Sequence, residues 1–311
     1  LISGIRMENK DGPAAAEFET STKRTAECSE VDSWENFKDD DIMQQTYDIK
    51  AHEAAKIPFV GDKEPLSSLE AEYTSGNIVF VKKIKALGET YGSIRRARGD
   101  GNCFFRSFMF AYFEHILKTK ERAEVDRIRV NVEQCRRTLL DLGYAELTFE
   151  DFFELFLEQL EIVLVSGDDS KSHEELVMRT RDPSTSDYVV MFFRFITSGE
   201  IRKKSEFYEP FIQGLSNSSV DQFCKASVEP MGEESDHIHI TALSEALGVP
   251  IRVVYLDRSC DDKGNVTVNH HDFVPASRAA GTSTTAAAAA ASSEPLVTLL
   301  YRPGHYDVLY P

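Results

Sequence analysis

Apolar positions recur along this chain with two different periods, and the period changes near residue 248. In "IVFVKKIKAL" (78–87), Ile78, Val81, Ile84 and Leu87 return every third residue, which places them on one side of a helix. "GDGNCFFRSFMFAYFEHI" (99–116) is a glycine turn followed by a strongly apolar helical pattern with Phe104, Phe105, Phe108, Met109 and Tyr112 on the buried face. Helical periods continue in "VDRIRVNVEQCRRTLLDLG", closed by Gly143, and in "TFEDFFELFLEQLEIVL", opened by Thr148 with acidic residues in its first turn. Two further helical stretches follow Ser184 and Ser218, where a hydroxyl can cap the first turn. After Gly248 the segments "PIRVVYLD", "NVTVNHHDFV", "PLVTLLYR" and "HYDVLYP" are short, β-branched and aromatic, with turns between them. The pattern predicts an α+β fold in which a helical front half feeds a C-terminal antiparallel sheet.

The two ends of this pattern set the domain boundaries. Residues 1–33 are rich in Ala, Thr, Ser and Glu without apolar period and read as a disordered acidic segment; Met7 is a candidate start within it. Residues 34–60 form an N-terminal arm around "DDDIMQQTYDIKAHEAAK", whose acidic start and stop before Pro58 predict a helix. That helix is too polar to bury much against its own domain, so it is either a solvated lead-in or an element that docks on a partner. Residues 61–311 make the main domain. Within it, 276–294 is an alanine-rich stretch that reads as a flexible surface loop.

Composition narrows the function classes. The net charge is −17, from 35 Lys and Arg against 52 Asp and Glu, which repels phosphate backbones and argues against nucleic acid as a partner. No apolar run reaches membrane-spanning length, so no membrane role is expected. The five cysteines (Cys28, Cys103, Cys135, Cys224 and Cys260) are scattered and odd in number, which fits a reducing cytoplasm or nucleus better than a disulfide framework or a cysteine-rich metal site. "SDHIHI" sets His237 and His239 two apart without a third ligand nearby; neither a metal nor a cofactor is expected.

Cys103 stands where the phenylalanine-rich helix begins. There the unpaired backbone N–H groups favour a thiolate, and Gly101 permits a tight turn that aims N–H groups at an oxyanion. A cysteine at a helix start is also an ordinary small buried residue, so the segment alone leaves both readings open. A nucleophilic cysteine needs an imidazole and a group to orient it. "RPGHYDVLY" supplies both, because His305 and Asp307 are two apart on a strand and share one face. Tyr306 and Val308 then face the opposite side, as packing residues.

Together, "DGNCFFRSF", "STSDYVVMFFRFITSG", "VEPMGEESDHIHITALSEALGVPIRVVYLD" and "LLYRPGHYDVLYP" resemble the otubain branch of the ovarian-tumour (OTU) cysteine deubiquitinases, most closely its plant-type members. The likeness runs from about residue 39 to the C-terminus, and the alanine-rich insert departs from it without touching a motif. The resemblance implies a papain-like fold, a monomer, and hydrolysis of isopeptide bonds after ubiquitin's C-terminal glycine, with polyubiquitin chains that signal degradation as substrates. It implies Cys103 as nucleophile, His305 as general base and then acid, Asp307 as orienting carboxylate, and Asp100 in the loop that forms the oxyanion hole with the Cys103 N–H. It gives the arm a contact with the proximal ubiquitin, and it adds ubiquitin-conjugating enzymes as partners of some members. A non-catalytic regulator that binds ubiquitin or those enzymes is the alternative. Glu233, Glu234 and Asp236 are candidates to receive the basic ubiquitin tail near the cleft.

Overall fold

Helices that are apolar on every side must be enclosed, and two such helices organise the fold. In a computed structural model, which describes residues 52, 56–73, 78–167, 170–259, 266–279 and 294–311, the chain divides into a unit over residues 1–48 and one over 49–311. The first unit lies outside the described residues. So does most of the predicted arm: only His52, in helical conformation, and 56–60 are described, and Val60 already belongs to a strand.

Within the second unit the elements are β1 (Val60–Pro65), α1 (Ser68–Tyr73), α2 (Ile78–Leu87), β2 (Ser93–Ala97), α3 (Cys103–Thr119), α4 (Arg122–Asp141), α5 (Glu150–Val165), α6 (Ser170–Arg181), α7 (Pro183–Lys203), α8 (Ser205–Ser216), α9 (Val220–Phe223), α10 (His237–Leu247), β3 (Ile251–Tyr255), β4 (Asn269–Phe273), α11 (Ala276–Ala279), β5 (Val297–Arg302) and β6 (His305–Tyr310). The strands form one sheet in the order β1-β2-β6-β5-β3-β4. Strand alternation gives the sheet two apolar faces. Tyr306, Val308 and Leu299 face α3 and the larger core, while Leu300, Leu309 and Ile94 face α1 and α2 through Leu69, Phe80, Ile84 and Leu87. α3 and α7 are buried along almost their whole lengths. They are joined by an aromatic cluster in which Phe108 meets Phe193 at 5.2 Å and Phe156 stacks on Phe192 at 4.2 Å.

Three features differ from the sequence-based expectation. The front half also contributes strands, β1 and β2, to the sheet. β1 ("VGDKEP") carries no inward apolar series and survives because it lies at the sheet edge. β2 ("SIRRA") accommodates two arginines because Arg96 pairs with Glu64 and Glu72, and Arg95 stacks on Phe110 at 4.4 Å while donating to the Gly61 carbonyl at 2.6 Å. The sheet is mixed rather than wholly antiparallel: β3 and β5 run parallel, because β4 takes the outer edge of β3 and the chain returns on the other side. The expected alanine-rich loop begins with the short helix α11, and residues 280–293 lie outside the described residues. Among the described residues no helix is long and apolar enough to cross a membrane.

The aromatic cluster sets an expected stability pattern. Phe156→Ala leaves a void among rings that cannot close over it and should cost about 3–5 kcal/mol in denaturant unfolding. Ile78→Ala, at a residue 75% exposed, should stay within about 0.5 kcal/mol of the parent.

Candidate active site

The loop that leads into Cys103 is shaped by two glycines and two buried arginines. Gly101 has φ +77°, and a Cβ there would lie 1.7 Å from the Gly232 carbonyl oxygen, so only glycine lets the loop over 229–233 close on it. Asp100 Oδ1 accepts the Asn102 N–H at 3.0 Å, while its Oδ2 accepts Arg106 Nε and Nη2 at 3.2 and 2.9 Å. Arg106 is buried and also donates to Ser186 Oγ (2.5 Å) and Asp187 Oδ1 (2.8 Å). The Asp100 carboxylate is therefore spent on the loop and points into it.

Asn102 occupies the N-cap of α3, yet its side chain does not cap the helix. Its Oδ1 accepts the Gly232 N–H (3.0 Å) and Arg194 Nη2 (2.7 Å) instead. The first helical hydrogen bond runs from the Arg106 N–H to the Asn102 carbonyl. The N–H groups of Cys103, Phe104 and Phe105 consequently have no acceptor inside the helix and concentrate partial positive charge around the Cys103 thiol. The other described cysteines are placed differently: burial pushes the Cys135 thiol up to about 12 and the Cys224 thiol up to about 11.

Pro303 and Gly304 (φ +74°) turn β5 into β6, which opens with His305. His305 Nε2 lies 2.9 Å from Asp307 Oδ1, as the two-residue period predicts. Asp307 is fully buried; its Oδ1 also accepts the Ala97 N–H (3.0 Å), and its Oδ2 accepts Arg302 Nε (3.0 Å) and Nη2 (2.7 Å). Burial opposes its charge, but the His305 bond and the Arg302 cation outweigh burial and hold the carboxyl below its ordinary range. Burial likewise opposes protonation of His305; hydrogen bonds to Asp307 and Cys103, with their charges, overcome it and raise the ring to about 10. With Nε2 committed to Asp307, Nδ1 is the nitrogen left for sulfur, and it faces the loop at Gly99, 3.8 Å from where a Cβ would stand. Cys103, His305 and Asp307 thus converge from α3 and β6, with Asp100 supporting the loop beneath. A cleft of about 470 Å³ opens beside His305, lined by Tyr73, Phe80, Pro303 and the arginines 96, 258 and 302.

The remaining candidates have other partners. His237 bonds the Tyr255 hydroxyl (2.6 Å), and His239 forms a capping box with Asp236, its Nδ1 2.8 Å from that carboxylate. Asp236 Oδ1 is thus occupied by the start of α10, and the Glu234 carboxylate lies beside Gly304, next to His305. Sequence reasoning missed Arg106, Arg194 and Arg302. The signal was present for Arg194, since one arginine inside "VVMFFRFI" must be buried and must have partners.

A family model described as Peptidase C65 Otubain matches residues 52–311. The Arabidopsis thaliana protein named ovarian tumor domain-containing deubiquitinating enzyme 1 is 62% identical over 284 residues, covering 91% of this chain and 87% of that one. Human ubiquitin thioesterase OTUB1 is 39% identical over 272 residues, covering 88% of this chain and 90% of that one. A solved structure titled as h/ceOTUB1 with ubiquitin aldehyde and UBC13~Ub superposes with a TM-score of 0.71 at 34% identity, covering 88% of this chain and 98% of that one. With a thiol at a helix mouth and a histidine–aspartate pair on the adjoining strand, these matches establish that the chain belongs to the otubain family of cysteine-type deubiquitinases.

Proposed function

We propose that this protein hydrolyses the isopeptide bond after ubiquitin's C-terminal glycine, with Cys103 as nucleophile, His305 as proton carrier and Asp307 as its orienting carboxylate. The observation that carries the reading is the 2.9 Å His305–Asp307 bond, which leaves Nδ1 for a thiol held at a helix N-terminus. The Cys103 thiol passes its proton to His305, its thiolate attacks the glycine carbonyl, and the resulting oxyanion is held by the Cys103 N–H and the loop that Asp100 shapes. His305 protonates the departing lysine amine as the tetrahedral intermediate collapses to a thioester. It then takes a proton from water, which attacks the thioester and frees the ubiquitin carboxylate and the thiol.

The names of the relatives support ubiquitin as substrate, and the titles of related structures, with UBC13~Ub and UBCH5B~Ub, support charged conjugating enzymes as partners. We place degradation-signalling polyubiquitin chains as the substrates and the arm over 34–60 as the contact with the proximal ubiquitin. The scattered cysteines support action in a reducing cytoplasm or nucleus.

A ubiquitin bearing a C-terminal thiol-reactive warhead should label Cys103 and neither Cys135 nor Cys224; peptide mapping to another cysteine would sink the assignment. Cys103→Ser should bind chains without cleaving them, and His305→Ala should lower turnover by about 10²–10⁴.

Because His305 is raised to about 10, its imidazolium persists through neutral pH, and activity should decline only as pH climbs through about 10. In Asp307→Asn the stabilising charge is gone, so that alkaline limb should move down; an unmoved limb would mean that Asp307 does not act on the ring.

Deleting residues 39–56 should spare cleavage of a fluorogenic substrate carrying one ubiquitin and weaken cleavage of di-ubiquitin, with relaxed linkage preference. Equal losses in both assays, with a lowered melting temperature, would instead make the arm part of the fold.

A further inference from the structure

Arg194 is completely buried on α7, and none of its hydrogen-bond or ion-pair partners among the described residues is a carboxylate. Its Nη2 donates to Asn102 Oδ1 (2.7 Å), the Gly101 carbonyl (3.2 Å) and the Glu233 carbonyl (2.8 Å), its Nη1 donates to the Val228 carbonyl (2.9 Å), and its Nε lies 3.3 Å from Asn102 Oδ1. The guanidinium also sits 4.9 Å from the Phe105 ring, on the first turn of α3. Arg106 and Arg302, the other arginines of the site, each contact carboxylates. Removing a cation from water without a contacting anion costs several kcal/mol, and carbonyl dipoles offset only part of it. A loop staple needs the donors of the fork rather than its charge, since every acceptor it meets is neutral.

We infer that Arg194 is a positioning residue of the hydrolytic site, which clamps the Gly101–Asn102 turn to the loop over 228–233 and supplies a fixed positive charge beneath Cys103 for the negative charge that forms there. This rests on the assignment of Cys103 as nucleophile. The geometry gives one group both tasks. The guanidinium fork bonds the Gly101–Asn102 turn and the Val228 and Glu233 carbonyls at once, and its contact with Phe105 sets its charge against the first turn of the helix that Cys103 opens. Burial lowers the Arg194 pKa to about 10, with Glu233, Asp100 and Cys103 opposing that fall, so the group stays charged at neutral pH.

The test compares Arg194→Lys, which keeps the charge and breaks the fork, with Arg194→Met, which loses both. Folding is checked by thermal melting, and the readouts are the rate of Cys103 alkylation by iodoacetamide at pH 7, kcat and KM on a fluorogenic ubiquitin substrate. Arg194→Met should lose about tenfold or more in both alkylation rate and kcat, with KM held within about twofold, while Arg194→Lys recovers most of the alkylation rate. Equal alkylation by the two variants, or a wild-type rate in Arg194→Met, would overturn the inference and leave only a structural staple. If neither variant folds, Asn102→Asp keeps the side-chain size and gives Arg194 a contacting carboxylate, at the loss of the long Asn102 Nδ2 bond to the Asp100 carbonyl (3.4 Å). It should still melt cooperatively as a folded protein yet alkylate and turn over about tenfold more slowly, and an unchanged rate would overturn the inference. Warhead labelling of the parent enzyme away from Cys103 would defeat the nucleophile assignment instead, whatever these variants do.

Discussion

The Asp307 carboxylate is the group on which the site and the centre of the sheet both depend. It lies on β6, between β2 and β5, and it binds both neighbours: the Ala97 N–H at the end of β2 and the Arg302 guanidinium at the end of β5. A fully buried anion is tolerated only when its lone pairs are met, and here His305, Ala97 and Arg302 meet them from three strands. The same bonds leave the carboxylate one orientation, and that orientation fixes the ring plane of His305. Catalytic geometry and sheet closure are one arrangement.

Protonation follows from it with opposite signs for the two partners. The folded-state pKa of Asp307 lies below its ordinary 3.8, so its contribution to stability is present above that value and is lost as pH falls through the folded-state pKa. The folded-state pKa of His305 lies above its ordinary 6.5, so its contribution is complete below 6.5 and fades as pH rises through about 10. Both contributions are complete only between about pH 4 and 6.5, and at neutral pH the carboxylate is charged and most of the imidazolium persists.

How much of this was legible in the sequence depended on whether the signal was local. The turn before Cys103 and the two-residue period of His305 and Asp307 are local geometry, and both hold. The helical periods over 78–87, 122–141 and 150–165 were equally legible, because long buried faces repeat. β1 and β2 were not: "VGDKEP" has no apolar series to detect, and in "SIRRA" the arginines are neutralised by Glu64 and Glu72, whose positions only the folded chain brings near. The direction of β5 relative to β3 depends on which edge β4 occupies, and no residue encodes that alone. The capping role of Asp236 was not legible either, because the start of α10 was not resolved by periodicity among the neighbouring histidines.

Net charge pointed the other way from the charges that matter at the site. The chain carries −17 overall, yet the groups packed around the Cys103 loop include the buried guanidiniums of Arg106 and Arg194, with Arg302 behind Asp307. These opposing facts are compatible because solvent screens the surface carboxylates within about 8–10 Å, while charges inside the protein act through a poorly screening medium. An acidic exterior can therefore favour a basic ligand tail without raising the cost of negative charge at the sulfur. Arg106 is offset by Asp100 and Asp187, and Arg302 by Asp307 and Glu72, so their fields largely close on themselves. Arg194 has no contacting carboxylate among the described residues; Glu233 and Asp100 act on it only at longer range, and its guanidinium stands against the first turn of α3. The positive charge near the start of α3 thus comes from a helix end and one interior arginine without a contacting carboxylate, which composition alone could not reveal.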